Sequence, residues 1–272
     1  MTPNEKILVS TMSLLNPEDE DEVLKNGYGL EIFSEELSWS EEDVLIPRAT
    51  FSLSRYREIS TPVSIHAPFF DLNLASEKFP AIRKLTLRTY RDWLRLGKFL
   101  GCIYVAVHPH GSAVVGNKKR VQRFAEEGLI ILAEEANNNG LLLAVENVGV
   151  GPTQLFNQEE YVQLIKEIPG LYALLDVGHA FLNGWNITAV IRKLGDRLLS
   201  LHLHDNGGWL DDHFPVGAGQ IDWPPIWEEL NLLPNPPYLV LEYFKTPVQY
   251  ILSDARRITG LTARHLPAAV AT

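Results

Sequence analysis

The chain has 272 residues, 46% of them hydrophobic, enough for one large domain with a substantial core. Its formal net charge of −10, from 34 acidic against 24 basic residues, disfavours a broad grip on nucleic acid, which needs a local excess of Lys and Arg. No run approaches the roughly 18 apolar residues that span a bilayer. The N-terminus lacks the basic start and apolar stretch of a signal peptide, and a single cysteine, Cys102, excludes an intrachain disulfide, so a cytoplasmic protein is expected.

In chain order, KILVST (6–11) is the first of eight short β-branched or apolar runs. PEDEDEVLKNG follows as a helix whose acidic start suits the positive end of the helix dipole. YGLEIF (28–33) and VSIHAPF (63–69) are the next two runs. The helical pattern SEKFPAIRKLTLRTYRDWLRLGKFLG leads into IYVAVHPH (103–110), NKKRVQRFAEEGLIILAEEANNNG into LLLAVENV (141–148), and NQEEYVQLIKEI into LYALLDVGH (171–179). After NITAVIRKLG come LLSLHLHD (198–205), a glycine-bearing loop, a helix start at Asp222 and Trp223, YLVLEYF (238–244) and the helical TPVQYILSDARRITG. In the helical segments apolar residues recur at three and four, and glycine or asparagine closes several ends. Helices between near-continuous apolar strands mean crossover connections and a buried parallel sheet. Eight such units predict a single (β/α)8 TIM barrel domain over 1–272, with its site at the C-terminal strand ends. A doubly wound open sheet is the alternative fold, but no GxGxxG or GxxxxGK[ST] turn follows an early strand.

Polar residues gather where that fold would place a site. His66 is late in the third run, His108 in the fourth, Glu146 in the fifth, Asp176 and His179 in the sixth, His202 in the seventh and Glu242 in the eighth. Seven of the eight histidines sit in these segments or in the loop after the seventh; only His265 lies elsewhere. Any one of them has a plain reading as a hydrogen-bonded structural group. Together, converging carboxylates and imidazoles would repel and desolvate one another, whereas divalent cations would neutralise the acids and use the imidazole lone pairs. Histidine and carboxylate without thiolate fits Zn²⁺, Mn²⁺, Fe²⁺ or Co²⁺ better than Ca²⁺.

Several motifs resemble one known group. HAPF (66–69), VHPH (107–110), ENVG (146–149), LDVGHAF (175–181), HLHD (202–205), DDHFPVGAGQIDW (211–223) and LEYF (241–244) are similar to the xylose isomerase-like TIM barrel superfamily, which holds sugar isomerases and epimerases and the apurinic endonucleases. Resemblance to the epimerases implies one divalent cation on Glu146, Asp176, His202 and Glu242, with the two glutamates moving protons and His66 and His179 orienting substrate. Resemblance to the endonucleases implies three ions. The first would take His66, His108 and Glu146, the second Glu146, Asp176, His202 and Glu242, and the third His179, Asp211 and His213. The chain departs from the epimerases at Gly208, where they tend to carry an arginine six residues after the seventh-strand histidine. It departs from the endonucleases in reading VGVGPTQ after Asn147.

His202 and His204 stand two apart and so face the same way, into the barrel mouth. His202 is the expected ligand. His204 either supports a metal-ligating residue or contacts substrate, or is a rim histidine with a water partner. His110 is either a substrate contact or structural, and Trp209 and Phe214 either line the pocket or pack the loop. Asp211 and His213 reach back from their loop or form a solvated pair. Gly217 and Gly219 would let the loop pass close over the site, and Gly149 and Gly151 either present N–H groups to an anion or form a turn.

The expected activity is a metal-dependent isomerase or epimerase of a small sugar, sugar phosphate or polyol-derived ketone. Its cofactor would be one to three ions of Zn, Mn or Co, and Glu146, Glu242 and His179 would be its catalytic residues. The alternatives are a phosphodiester hydrolase and a non-catalytic sugar- or metal-binding barrel. Barrels of this kind often dimerise, so a homodimer is an allowed state.

Overall fold

The structure, a computed structural model, describes residues 3–34, 53–111 and 116–262; His265 lies outside them. Each predicted apolar run supplies one strand: β1 (Ile7–Ser10), β2 (Gly29–Phe33), β3 (Val63–His66), β4 (Tyr104–Val107), β5 (Leu142–Glu146), β6 (Leu171–Asp176), β7 (Leu198–Leu203) and β8 (Tyr238–Leu241). They pair in parallel in chain order, and β8 closes on β1, so the sheet is a barrel and the open-sheet alternative is excluded. Among the described residues the α-helices are α1 (Asp19–Lys25), α2 (Pro80–Leu100), α3 (Lys118–Asn138), α4 (Gln158–Glu167), α5 (Val177–Leu182), α6 (Ile187–Leu194), α7 (Trp223–Asn231) and α8 (Val248–Thr262). None of them is long and apolar enough to cross a membrane.

Local chemistry sets the helix ends. The side chains of Asn117, Asn157 and Asn186 accept from the backbone N–H groups of Arg120, Glu160 and Ala189, satisfying first-turn donors of α3, α4 and α6. Gly101 closes α2 at φ +75°, a left-handed conformation that suits glycine.

The apolar runs are continuous because both strand faces are covered. Ile7, Val9, Leu30, Ile32, Ile65, Val105, Leu143, Val145, Leu175, Leu201 and Leu239 join the core that the helices cover. Leu8, Tyr104, Ala106, Ala144, Leu174 and Val240 form a second cluster inside the barrel. Along the inner face the residues turn polar towards the C-terminal ends, where Glu31, His66, Glu146, Asp176 and His202 are all buried.

One element differs from the sequence-based expectation. The sixth apolar run extends through His179, but β6 stops at Asp176 and His179 stands in the first turn of α5. The reason is a cap: Asp176 Oδ1 accepts from the His179 backbone N–H at 2.6 Å, which starts a helix there.

Candidate active site

The deepest part of the site is a buried acid that the motif pattern did not single out. Glu31, on β2, is fully buried. Its Oε2 accepts from Tyr104 (2.8 Å) and Ser64 (3.1 Å), and its Oε1 accepts from His202 Nε2 (2.7 Å). That last bond puts the His202 proton on Nε2 and turns Nδ1 to the mouth. There it lies 3.1 Å from Glu242 Oε2, 3.7 Å from Asp176 Oδ2 and 4.0 Å from Glu146 Oε2. A cue was present in the sequence, since Glu31 is a lone acid inside the apolar run YGLEIF.

Glu146 is the hub. His66 Nε2 and His108 Nε2 each lie 3.0 Å from its Oε2, and His179 Nδ1 lies 3.2 Å from its Oε1. His66 Nδ1 donates to the Ala67 carbonyl (3.1 Å), so in the neutral ring the Nε2 lone pair faces the carboxylate. Asp176 is strapped in place by Asn147, whose Nδ2 donates to the Asp176 carbonyl (3.0 Å) and whose Oδ1 accepts from the Asp176 N–H (2.7 Å). Asp176 Oδ2 accepts from His204 Nε2 at 2.9 Å.

The loop after β7 is folded around Asp205. Its carboxylate accepts from the N–H groups of Asn206 (2.9 Å), Gly217 (3.0 Å) and Ile221 (3.1 Å) and from Trp223 Nε1 (2.8 Å). Its backbone exchanges two hydrogen bonds with Phe214. A Cβ on Gly219 would fall 2.3 Å from Asp205 Oδ1 and 2.4 Å from the Asn206 carbonyl, so this turn needs glycine. The folded loop brings Asp211 Oδ2 within 3.0 Å of His179 Nε2 and 3.2 Å of His213 Nε2. His213 sits at φ +51°, an uncommon conformation for a non-glycine residue, and its Nδ1 donates to the Glu242 carbonyl (2.8 Å).

Burial opposes ionisation of Glu146, yet His108, His179 and His66 outweigh it and hold its carboxyl well below the usual range. Asp176 is likewise depressed by His179 and His204 against its burial. Burial works against charge on His202, but the Glu242 and Glu31 carboxylates raise the ring well above its ordinary value. Against burial, Asp211 and Glu242 raise His213 to about 9. In addition, the buried Nδ1 atoms of His179, His202 and His204 have no hydrogen-bond partner among the described residues. Imidazole lone pairs and unpartnered nitrogens facing carboxylates are what a divalent cation would satisfy. Among the described residues four groups are close enough to share an ion: His66, His108 and Glu146; Glu146, Asp176 and His202; Glu31, His202 and Glu242; and His204, His213 and Glu242; the donor set therefore fits a metal.

A cavity of about 620 Å³ opens beside the cluster, with His108 and His179 in its wall and Phe69, Phe70, Phe79 and Ile82 as its apolar face. His110 also lines it. His110 Nε2 donates to the Thr153 carbonyl (2.8 Å), and burial pushes the ring down to about 4. His204 is fully buried against Asp176 rather than standing at the rim. Neither Trp209, 88% exposed, nor Phe214 is among the described residues lining this cavity. After β5 the Val150 N–H is donated to Thr153 Oγ1 and the Gly151 N–H to Asn183 Oδ1, both at 2.8 Å, so these groups serve a turn.

The sequence model of the xylose isomerase-like TIM barrel family matches residues 29–266. Two uncharacterized proteins of Methanocaldococcus jannaschii are similar: one is 27% identical over 168 residues (62% of this chain, 65% of the relative), the other 30% identical over 184 residues (62% and 60%). The match thus spans less than two thirds of either relative's length. Among solved structures, a D-tagatose 3-epimerase-like protein superposes with a TM-score of 0.77 at 22% identity, covering 94% of this chain and 99% of that one. The IolI protein with a bound zinc atom gives 0.76 at 17% identity, covering 96% and 99%. D-psicose 3-epimerase with D-tagatose, from Clostridium cellulolyticum H10, gives 0.72 at 18% identity, covering 96% and 99%.

Proposed function

The chain belongs to the xylose isomerase-like TIM barrel family, and on that footing we propose that it is a divalent-metal-dependent isomerase or epimerase. Its substrate would be a small sugar, sugar phosphate or polyol-derived ketone, and protons would pass between substrate and Glu146 and Glu242. One observation carries this reading: the two carboxylates, one at the end of β5 and one just past β8, flank the same His202 Nδ1, Glu242 at 3.1 Å and Glu146 at 4.0 Å. Both are buried at the mouth, at 3% and 5% exposure for Glu146 and Glu242. The solved structures of similar fold that are named as sugar epimerases support it.

Removing a proton beside a carbonyl leaves an enediolate. Returning a proton to the opposite face of the same carbon epimerises it, and returning one to the neighbouring carbon isomerises the sugar. Glu146, kept ionised by its ring of histidines, is placed to take the first proton; Glu242, across the mouth, is placed to supply the second. Glu146, Asp176, His202 and Glu242 would hold a divalent cation, which when bound supplies positive charge to stabilise the oxyanion that deprotonation creates. His108 and His179 face both Glu146 and the cavity, so they would orient substrate hydroxyls. With Gly208 in the position where related epimerases tend to carry arginine, hydroxyl recognition must come from other residues.

The test is solvent exchange. Ketoses incubated with the protein in D₂O should take up deuterium beside the carbonyl, read by proton NMR. Glu242→Gln should slow formation of the epimerised or isomerised product by about 10²–10⁴-fold and weaken metal binding; an unchanged rate of product formation would sink the assignment.

A second reading, metal-dependent phosphodiester hydrolysis, is favoured by one observation. Asp211 Oδ2 lies 3.0 Å from His179 Nε2 and 3.2 Å from His213 Nε2, the three residues that the endonuclease resemblance assigns to a third ion. Cleavage of abasic duplex DNA would establish it, and the net charge of −10 argues against it.

A further inference from the structure

We propose that His204 is itself a metal ligand, completing with His179, Asp211 and His213 a cation site of three imidazoles and one carboxylate. This rests on the reading that the barrel mouth holds divalent cations. It differs from the ligand set implied by the endonuclease resemblance, in which the third ion has no ligand from the position of His204.

The first support is the fixed tautomer of two rings. His213 Nδ1 donates to a backbone carbonyl, that of Glu242, at 2.8 Å, and carbonyls only accept. In neutral His213 the lone pair therefore sits on Nε2, 3.2 Å from Asp211 Oδ2. His204 Nε2 donates to Asp176 Oδ2 at 2.9 Å, which leaves the lone pair on Nδ1, 3.8 Å from Asp211 Oδ1. Asp176 thus serves His204 as the Glu242 carbonyl serves His213, each holding the far nitrogen so that the near one points at Asp211. His204 is fully buried, and its Nδ1 has no hydrogen-bond partner among the described residues.

Asp211 also stands at about ligand-to-ligand distance from the three rings, through Oδ2 to His179 and His213 and through Oδ1 to His204. Nitrogen and oxygen donors about 2.0–2.1 Å from a tetrahedral cation stand about 3.3 Å from one another. The nearest contacts to Asp211 are 3.0 Å from His179, 3.2 Å from His213 and 3.8 Å from His204. Finally, the backbone makes room for this histidine. A Cβ on Gly178 would fall 2.1 Å from His204 Cε1, and the freed space lets His204 stack on His213 with ring centroids 3.9 Å apart. Four protein ligands leave no open position, so such an ion is held as fixed charge, and substrate contact falls to the ligands around Glu146.

Zinc titration against a competing chelator, with elemental analysis per chain, tests this on the full chain. In His204→Gln the amide can still donate to Asp176, but the nitrogen facing Asp211 is gone. This variant should bind one zinc fewer than the wild type, or bind that zinc at least roughly ten-fold more weakly. Gly178→Ala, which displaces His204 without removing it, and His213→Ala should weaken the same ion, with near-ultraviolet circular dichroism reporting the fold. Unchanged zinc number and affinity in folded His204→Gln would overturn the proposal, as would loss of no zinc from folded His213→Ala. The isomerase reading fails separately: zinc loss in His204→Gln together with no deuterium exchange on any ketose by the wild type leaves this site standing and removes that function.

Discussion

Glu31 shows how a residue can matter to a site without facing it. Burial opposes its charge, but His202 draws its carboxyl below the ordinary range, and the pair is shielded beneath the barrel mouth. Its effect on any bound ion passes through the ring: a carboxylate on Nε2–H makes Nδ1 a stronger donor and fixes its direction. Glu31→Gln keeps an acceptor for His202 but removes the charge. Zinc affinity should therefore fall roughly 10–100-fold while the fold survives; equal affinity in a chelator competition would reduce Glu31 to packing. The sequence exposes residues of this kind unevenly. His66, His108, Glu146 and Asp176 stand out because they end apolar runs. Glu31 sits mid-run, and its partners Ser64, Tyr104 and His202 come from three other strands, a juxtaposition that only barrel closure creates.

At the scale of elements, the loop between β7 and α7 decides whether Asp211 and His213 reach the site. Asp205 organises it by accepting four hydrogen bonds while fully buried. Asp205→Asn leaves one oxygen and turns an N–H₂ group towards donors. Each buried donor left unpaired costs about 1–3 kcal/mol, so the variant should lose on the order of 3 kcal/mol in denaturant unfolding. The loop amides should also exchange with solvent faster than those of β7. Wild-type stability and protection would show that the loop is held by something else. The strands were legible because parallel barrel strands are buried on both faces and read as apolar runs. The end of β6 was not, because LDVGHAF continues the apolar pattern of LYALLDVGH while the Asp176 cap starts a helix within it. Gly217 and Gly219 were expected to allow a close turn, and Gly219 does lie against Asp205 and Asn206.

Across the whole molecule, the barrel mouth gathers more titratable groups than a metal-free protein can hold at constant charge. His213 is raised from 6.5 to about 9 in the folded, metal-free chain, with burial opposing and Asp211 and Glu242 favouring its charge. A raised folded value contributes stability that is fully present below the unfolded value near 6.5 and is lost as pH rises through about 9. Glu146 and Asp176 run the other way, since their depressed values contribute stability above the unfolded carboxylate range that is lost as pH falls through the folded values. For the metal-free chain these groups therefore favour a stability maximum between the carboxylate range and pH 6.5, with decline towards pH 9. A bound cation needs the same imidazoles neutral, so metal uptake releases protons and strengthens over that interval, and binding to the folded state alone adds stability. Thermal unfolding measured from pH 6.5 to 9 should thus show Tm falling in chelator, with the gap between zinc-loaded and chelated protein widening as pH rises. Parallel curves with a constant gap would mean that zinc displaces no proton from this cluster, and the imidazoles would have to be assigned to hydrogen bonding alone.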